Sequence, residues 1–388
     1  MSSTDGATTN LTSLLLLGRG SDAGSERGVS CEGDLPSPAD PELRERARVA
    51  KAKLGSKVMI LGHHYQRNEV IEFADITGDS FKLAQAAASH PESEYVVFCG
   101  VHFMAESADI LVSDSQKVIL PDLAAGCSMA DMASASQVDA AWQRFSELNI
   151  TSSTIPITYM NSTAAIKAFT GKNGGTVCTS SNAERAMRWA FEQGERVFFL
   201  PDQHLGRNTA LLKLGLQASD CVIWNPWKPN GGLTDEQITS AKVILWRGHC
   251  SVHGRFSVET INDFRARLPE VKILVHPECK NEVVSAADYV GSTEYIIKTI
   301  AEAPAGSTWA VGTELNLVKR LAETYTDKTV HFLDKTVCYC STMNRIDLPH
   351  LVYTLESLVA GRVINQIAVD DTVASHAKVA LERMLALP

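Results

Sequence analysis

The chain has no apolar run near the ~20 residues that cross a bilayer, so no membrane-spanning helix is expected. Its net charge is −9, with 36 Lys and Arg against 45 Asp and Glu. No basic patch accompanies that balance, which argues against nucleic acid or an anionic membrane as partner. A small anionic substrate stays possible, because a site can be locally positive in a negative protein. No Walker loop is present and no G-x-G-x-x-G follows a strand-like run, which argues against P-loop hydrolases and dinucleotide dehydrogenases. Close C-x-x-C knuckles and ferredoxin-type cysteine runs are missing too. Residues 1–40 lack a basic n-region, and their only apolar patch is Leu14 to Leu17. A secretory leader is therefore not expected, and a cytoplasmic location is. The Ser, Thr, Gly and Asp content of this stretch reads as a disordered extension.

What the chain does have is nine cysteines in 388 residues. The number is odd and the spread is wide, so a disulfide framework is not expected. Cys99 and Cys221 lie in strand-like apolar runs and read as small buried hydrophobes. Three others sit in glycine-rich or polar settings: Gly126-Cys127-Ser128, Gly248-His249-Cys250-Ser251 and Tyr339-Cys340-Ser341. Their separations, 123 and 90 residues from 127, 250 and 340, fit no zinc ribbon. Three thiolates from distant loops suit an iron–sulfur cubane with one iron left open as a Lewis acid. Spacing alone favours the plainer reading, three unrelated buried thiols.

The length suggests two or three compact units. Short continuous apolar runs, such as Val58-Met59-Ile60-Leu61, alternate with helical segments three times over. That pattern implies an α/β fold of parallel sheets with helices on both faces. The expected units are 41–130, 131–252 with an insertion at 207–245, and 253–343. Helical segments at 348–358 and 373–387 are expected to pack back on the first unit. Ligands of open parallel sheets sit beyond the carboxyl ends of the strands. Those ends carry His63 and Tyr65, Tyr159 and Asn161, and His276 and Glu278, which would line one pocket. An imidazole and a carboxylate two residues apart can act as base and orienter; a capping Glu beside a satisfied His is the plainer account. Gly78-Asp79-Ser80, Thr179-Ser180-Ser181-Asn182 and Gly291-Ser292-Thr293-Glu294 each precede a helix. They read as anion sites or as ordinary N-caps.

Taken in order from about residue 56 to 356, the motifs G-H-H-Y-Q, G-D-S, A-G-C-S-M-A-D, Y-M-N-S-T-A-A, C-T-S-S-N-A, P-D-Q-H-L-G, C-S-V-H, H-P-E-C, G-T-E and C-x-x-M-N-R-I closely resemble the quinolinate synthase family in its longer form. The resemblance implies three α/β/α domains with short parallel sheets around a pseudo-threefold axis. Each domain would donate one cysteine, here Cys127, Cys250 and Cys340, to a 4Fe–4S cluster with one open iron. Cys279, after H-P-E, is not a ligand in the family. The implied reaction condenses iminoaspartate with dihydroxyacetone phosphate to quinolinate, phosphate and water in de novo NAD biosynthesis. It carries a functional link to the L-aspartate oxidase that makes iminoaspartate. The implied substrate-binding residues are His63, Ser80, Tyr159, Asn161, Ser180, His276, Glu278, Ser292 and Thr293. Glu278, Tyr159, Tyr65 and His63 are the proposed acids and bases. Glu294 and Tyr295 stand where the family usually has two glycines. Cys338 is read as a packing thiol, and the 207–245 insertion as a lid or a surface excursion. Two alternatives remain: an iron–sulfur hydro-lyase acting on a single hydroxy acid, and a cytosolic iron–sulfur redox sensor.

Overall fold

Thirteen strands form three sheets in a computed structural model, which describes residues 35–335 and 339–387. Cys338 and most of the N-terminal extension lie outside the described residues. The first sheet contains β1 (Val58–His63), β2 (Ile76–Gly78), β3 (Tyr95–Cys99) and β4 (Lys117–Ile119). The second contains β5 (Thr154–Tyr159), β6 (Thr176–Cys178), β7 (Arg196–Leu200), β8 (Cys221–Trp224) and β9 (Val243–Trp246). The third contains β10 (Lys272–Val275), β11 (Tyr289–Val290), β12 (Thr308–Gly312) and β13 (Thr329–Phe332). All pairings between these strands are parallel.

The strand orders are β2-β1-β3-β4, β6-β5-β7-β9-β8 and β11-β10-β12-β13. Setting β8 aside, they are one order used three times. The apolar runs form strands because helices cover both faces, so no polar alternation is required. All six residues of β1 and all five of β7 are buried.

The 207–245 insertion is an edge extension of the second sheet. Its β8 pairs with β9 from Cys221 to Trp224. Its following turn is pinned to the outer helix Ala135–Glu147, where Arg144 donates to Asn230 at 2.8 Å and to Asp235 at 2.6 Å. Asn230 and Gly231 take left-handed φ values of 54° and 65° in that turn, a conformation Asn and Gly tolerate best.

The two C-terminal helices separate. Leu348–Val359 packs on Leu43–Leu54 of the first unit. The last helix, Asp371–Ala386, does not take the place expected for it: it lies mainly along Ala164–Lys172 and β6 of the second unit. Gly171 permits this approach, because a Cβ there would collide with the His376 carbonyl. Arg383 donates to the Gly175 carbonyl and rests over the Trp189 ring, 5.3 Å from its centroid. Between the two helices, Ile367 donates to the Val118 carbonyl at 2.9 Å and Leu120 to that of Asn365 at 3.2 Å, so the chain also borders β4.

Candidate active site

The repeated strand order brings like positions together. The first strand of each sheet ends in a pair of polar residues: His63 and Tyr65, Tyr159 and Asn161, His276 and Glu278. The second leads to Ser80 or Thr293, each the first residue of a helix, or to Ser180, three residues before one. The fourth leads to Cys127, Cys250 or Cys340. These residues line one tight cavity of about 70 Å³. Ser292 is the only sequence-predicted site residue not in that lining. Its hydroxyl accepts from the Tyr295 N–H at 3.3 Å and caps the helix Thr293–Glu302. An open groove of about 650 Å³ on the second unit, beside Arg144 and Lys228, contains none of the strand-end residues. It has no convergent set of buried polar groups and is not the site.

The three cysteines share a local structure. One turn of 3-10 helix starts three residues after each: Ala130–Met132, His253–Arg255 and Met343–Arg345. That turn aims backbone N–H groups at each sulfur: Ala130 and Met129 at Cys127, His253 at Cys250, and Met343 and Thr342 at Cys340. The Thr342 hydroxyl also lies 3.4 Å from Cys340 Sγ. Burial pushes the Cys127 thiol up to about 12 and the Cys250 and Cys340 thiols above their ordinary value. The Cys127 and Cys340 sulfurs raise Cys250 further. Three half-buried cavity thiols with N–H donors already turned towards them fit a three-thiolate iron–sulfur ligand set. Cys279 is buried elsewhere, its sulfur 3.8 Å from the Gly312 carbonyl, and does not line the cavity.

A continuous hydrogen-bonded chain crosses the site. Tyr65 Oη lies 3.1 Å from Thr293 Oγ1 and 2.8 Å from Thr313 Oγ1. Thr313 Oγ1 is 3.2 Å from His253 Nε2, and His253 Nδ1 is 3.0 Å from Glu278 Oε2. Glu278 Oε1 accepts from the Tyr159 hydroxyl at 2.6 Å. The two tyrosines are thus the ends of one hydrogen-bonded chain. His253 also stacks on His276, with centroids 4.4 Å apart.

Burial sets the protonation states along this path. It pushes both tyrosines well above the ordinary phenol value, and the nearby Glu278 charge adds to this, so both hold their protons. Burial would raise Glu278 as well, but the His253 and His276 imidazoles and the bonds from His253 and Tyr159 outweigh it and hold the carboxyl down. Asp202, buried behind it, goes the other way: burial and the Glu278 charge push it well above the carboxylate range. The two nearby carboxyl groups are therefore shifted in opposite directions, Glu278 down and Asp202 up. Burial lowers His63 and His276 to about 3, so both rings are neutral at pH 7. Nδ1 of His63 accepts from the Tyr65 N–H at 3.1 Å, which leaves Nε2 to carry the ring proton.

The first and third units are joined at the rim. Arg320 donates to the His64 carbonyl at 2.8 Å and the Gln66 carbonyl at 2.6 Å. Glu294 pairs with His64 Nε2 at 2.9 Å and accepts from the Asp79 N–H. Asn161 Oδ1 is buried without a protein partner and belongs to the cavity lining.

His253, Thr313 and Asp202 were not singled out from the sequence. The signal for His253 was its place three residues after Cys250 in C-S-V-H. Thr313 and Asp202 stand inside the motifs G-T-E and P-D-Q-H, with nothing local to mark them.

The profile of the quinolinate synthetase A protein family matches residues 47–386. A protein of Streptomyces coelicolor named quinolinate synthase is 69% identical over 377 residues, 97% of this chain and 96% of that one. A quinolinate synthase of a Nocardioides species is 66% identical over 381 residues, 97% of each chain. One of Geobacillus thermodenitrificans is 56% identical over 354 residues, 89% of this chain and 94% of that one.

Proposed function

The chain belongs to the quinolinate synthetase A protein family, and from that premise we propose that it is a quinolinate synthase of NAD biosynthesis. Its substrates are iminoaspartate and dihydroxyacetone phosphate, and its products are quinolinate, phosphate and water. The observation that carries this reading is the meeting of the Tyr65-to-Tyr159 proton path with three thiols in one cavity. A redox sensor has no need of such a path.

Cys127, Cys250 and Cys340 would hold a 4Fe–4S cluster whose open iron acts as a Lewis acid on a substrate oxygen. The chain's own residues do the rest. Ser80, Ser180 and Thr293, each at or beside a helix start, grip carboxylate and phosphate oxygens by hydroxyl and backbone donors. Asn161 has an unmatched amide oxygen for an imine or hydroxyl proton. Glu278, ionised at neutral pH, takes a proton from the carbon that attacks. It can return that proton through Tyr159 or send it through His253 and Thr313 towards Tyr65. Tyr65, fully protonated, donates to a departing oxygen. The Nε2–H of His63 donates to a developing negative charge. Iminoaspartate would come from an oxidase of L-aspartate. Among the described residues no helix is long and apolar enough to cross a membrane, and a reducing cytoplasm suits three free cluster thiolates.

The test is an anaerobic assay of the reconstituted protein for quinolinate, with enzymatically generated iminoaspartate and dihydroxyacetone phosphate. Cys340→Ala runs beside it. Quinolinate from the parent alone is expected. A parent that holds about four irons, the content of one cubane, and makes no quinolinate would sink the reading and favour a hydro-lyase.

A further inference from the structure

Cys250, His253 and Glu278 each offer one ligand atom, and the three atoms lie within 4.8 Å of one another. No other group of three such residues comes together among the described residues. All three belong to the cavity lining. Two of the ligands are already held in place from behind. His253 has Thr313 Oγ1 at 3.2 Å from its Nε2, and Glu278 Oε1 accepts the Tyr159 hydroxyl at 2.6 Å. Such outer contacts orient metal ligands and tune their basicity. Thiolate, imidazole and carboxylate together form a zinc-type donor set, with a fourth position left for water.

We propose that the cluster-free chain binds one zinc-class divalent cation through Cys250 Sγ, His253 Nδ1 and the Glu278 carboxylate, and that this ion and the cluster exclude one another. The exclusion rests on the reading of Cys250 as a cluster ligand. The charges balance: one thiolate and one carboxylate neutralise a dication, which makes a buried site tolerable. The protons balance as well. Cys250 releases one on binding. The His253 proton moves from Nδ1, where it faces Glu278, to Nε2, where it donates to Thr313. Zinc here also occupies Glu278, so a zinc-loaded chain is blocked both for cluster assembly and for proton transfer.

The experiment uses the full chain, stripped of iron by chelator under nitrogen. Zinc chloride is titrated calorimetrically in two buffers of different ionisation heat, and metal is counted after gel filtration. The parent and the double variant Cys127→Ala/Cys340→Ala are each expected to retain one zinc and release one proton. His253→Ala and the near-isosteric Glu278→Gln are expected to bind at least tenfold more weakly, with melting curves showing that they are folded. Zinc-loaded parent treated with iron and sulfide is expected to acquire no cluster. The proposal is overturned if the parent retains no zinc, or if uptake survives His253→Ala but is lost in the double variant, since three thiols would then be the ligands. A zinc-free parent that acquires no cluster under the same treatment overturns the cluster reading and the exclusion, while the zinc site stands or falls on its own variants.

Discussion

Thr313→Val tests whether the path between the two tyrosines carries protons or only braces the site. Valine fills nearly the same space but offers no hydroxyl. Thr313 is fully buried and does not line the cavity, so the change touches no substrate. It removes the 2.8 Å contact to Tyr65 and the 3.2 Å contact to His253. Tyr65 keeps Thr293 at 3.1 Å, so the loss there is about 1 kcal/mol. His253 Nε2 has no second partner among the described contacts, and stranding it costs about 1–3 kcal/mol. The expected loss of stability is thus ~2–4 kcal/mol, read by denaturant unfolding of the cluster-free chain. The effect on rate is a separate matter. General acid–base transfer is worth about 10²–10⁴, so a break in mid-path should lower kcat at least ~100-fold. KM for dihydroxyacetone phosphate should stay within about threefold, the pattern of an interaction made in the transition state. Thr313→Ser should restore most of the rate. A Thr313→Val enzyme with the expected loss of stability and a kcat within about threefold of the parent would refute the proton path.

Single Ala substitutions at Cys127, Cys250 or Cys340 should each abolish stable cluster incorporation, read by iron and sulfide content, whereas Cys279→Ala should retain full iron. Arg320→Ala removes charge-assisted bonds to two carbonyls of the first unit; it should destabilise by about 2–4 kcal/mol and raise KM for both substrates, measured by melting and steady-state kinetics. Gly171→Ala puts a methyl against the His376 carbonyl and should lower stability by about 1–3 kcal/mol with kcat unchanged. Burial holds His63 and His276 at about 3 in the folded chain, against about 6.5 unfolded. The unfolded chain therefore binds more protons between those values, and this contribution to stability is lost as pH falls from 6.5 towards 3. The cluster-free chain should melt lower at pH 5 than at pH 7, and His276→Asn should flatten that slope.

The sheets were readable because parallel strands buried on both faces leave continuous apolar runs. The run Cys221-Val222-Ile223-Trp224 announced a strand in the same way, but not its place. Whether an insertion widens a sheet or covers a pocket depends on which edge it meets, here β9. Glu278 and Tyr159 could be named from strand ends, since topology sends all such ends to one side. His253 could not, because its meaning lies in partners 25 and 60 residues away. The last helix shows the same limit. Its apolar face predicts burial, whereas its partner depends on a missing Cβ at Gly171. Each of the three cysteines is followed by serine and then by the same turn. That two-residue likeness was too short to register without the backbone.

The C-terminal arrangement dictates an order of events during synthesis. Domains fold as units while the chain emerges, the N-terminal ones first. The first two sheets, with Cys127 and Cys250, are complete long before Cys340 is made. Helix Ala164–Lys172 must then wait for its partner, the helix Asp371–Ala386. The edge of β4 waits for residues 365–367. A nascent chain therefore exposes two of the three cavity thiols and an uncovered helix until residues 371–386 have emerged. The vulnerable interval for oxidation or capture by a stray metal is the period of elongation, and it closes when the final helix seats.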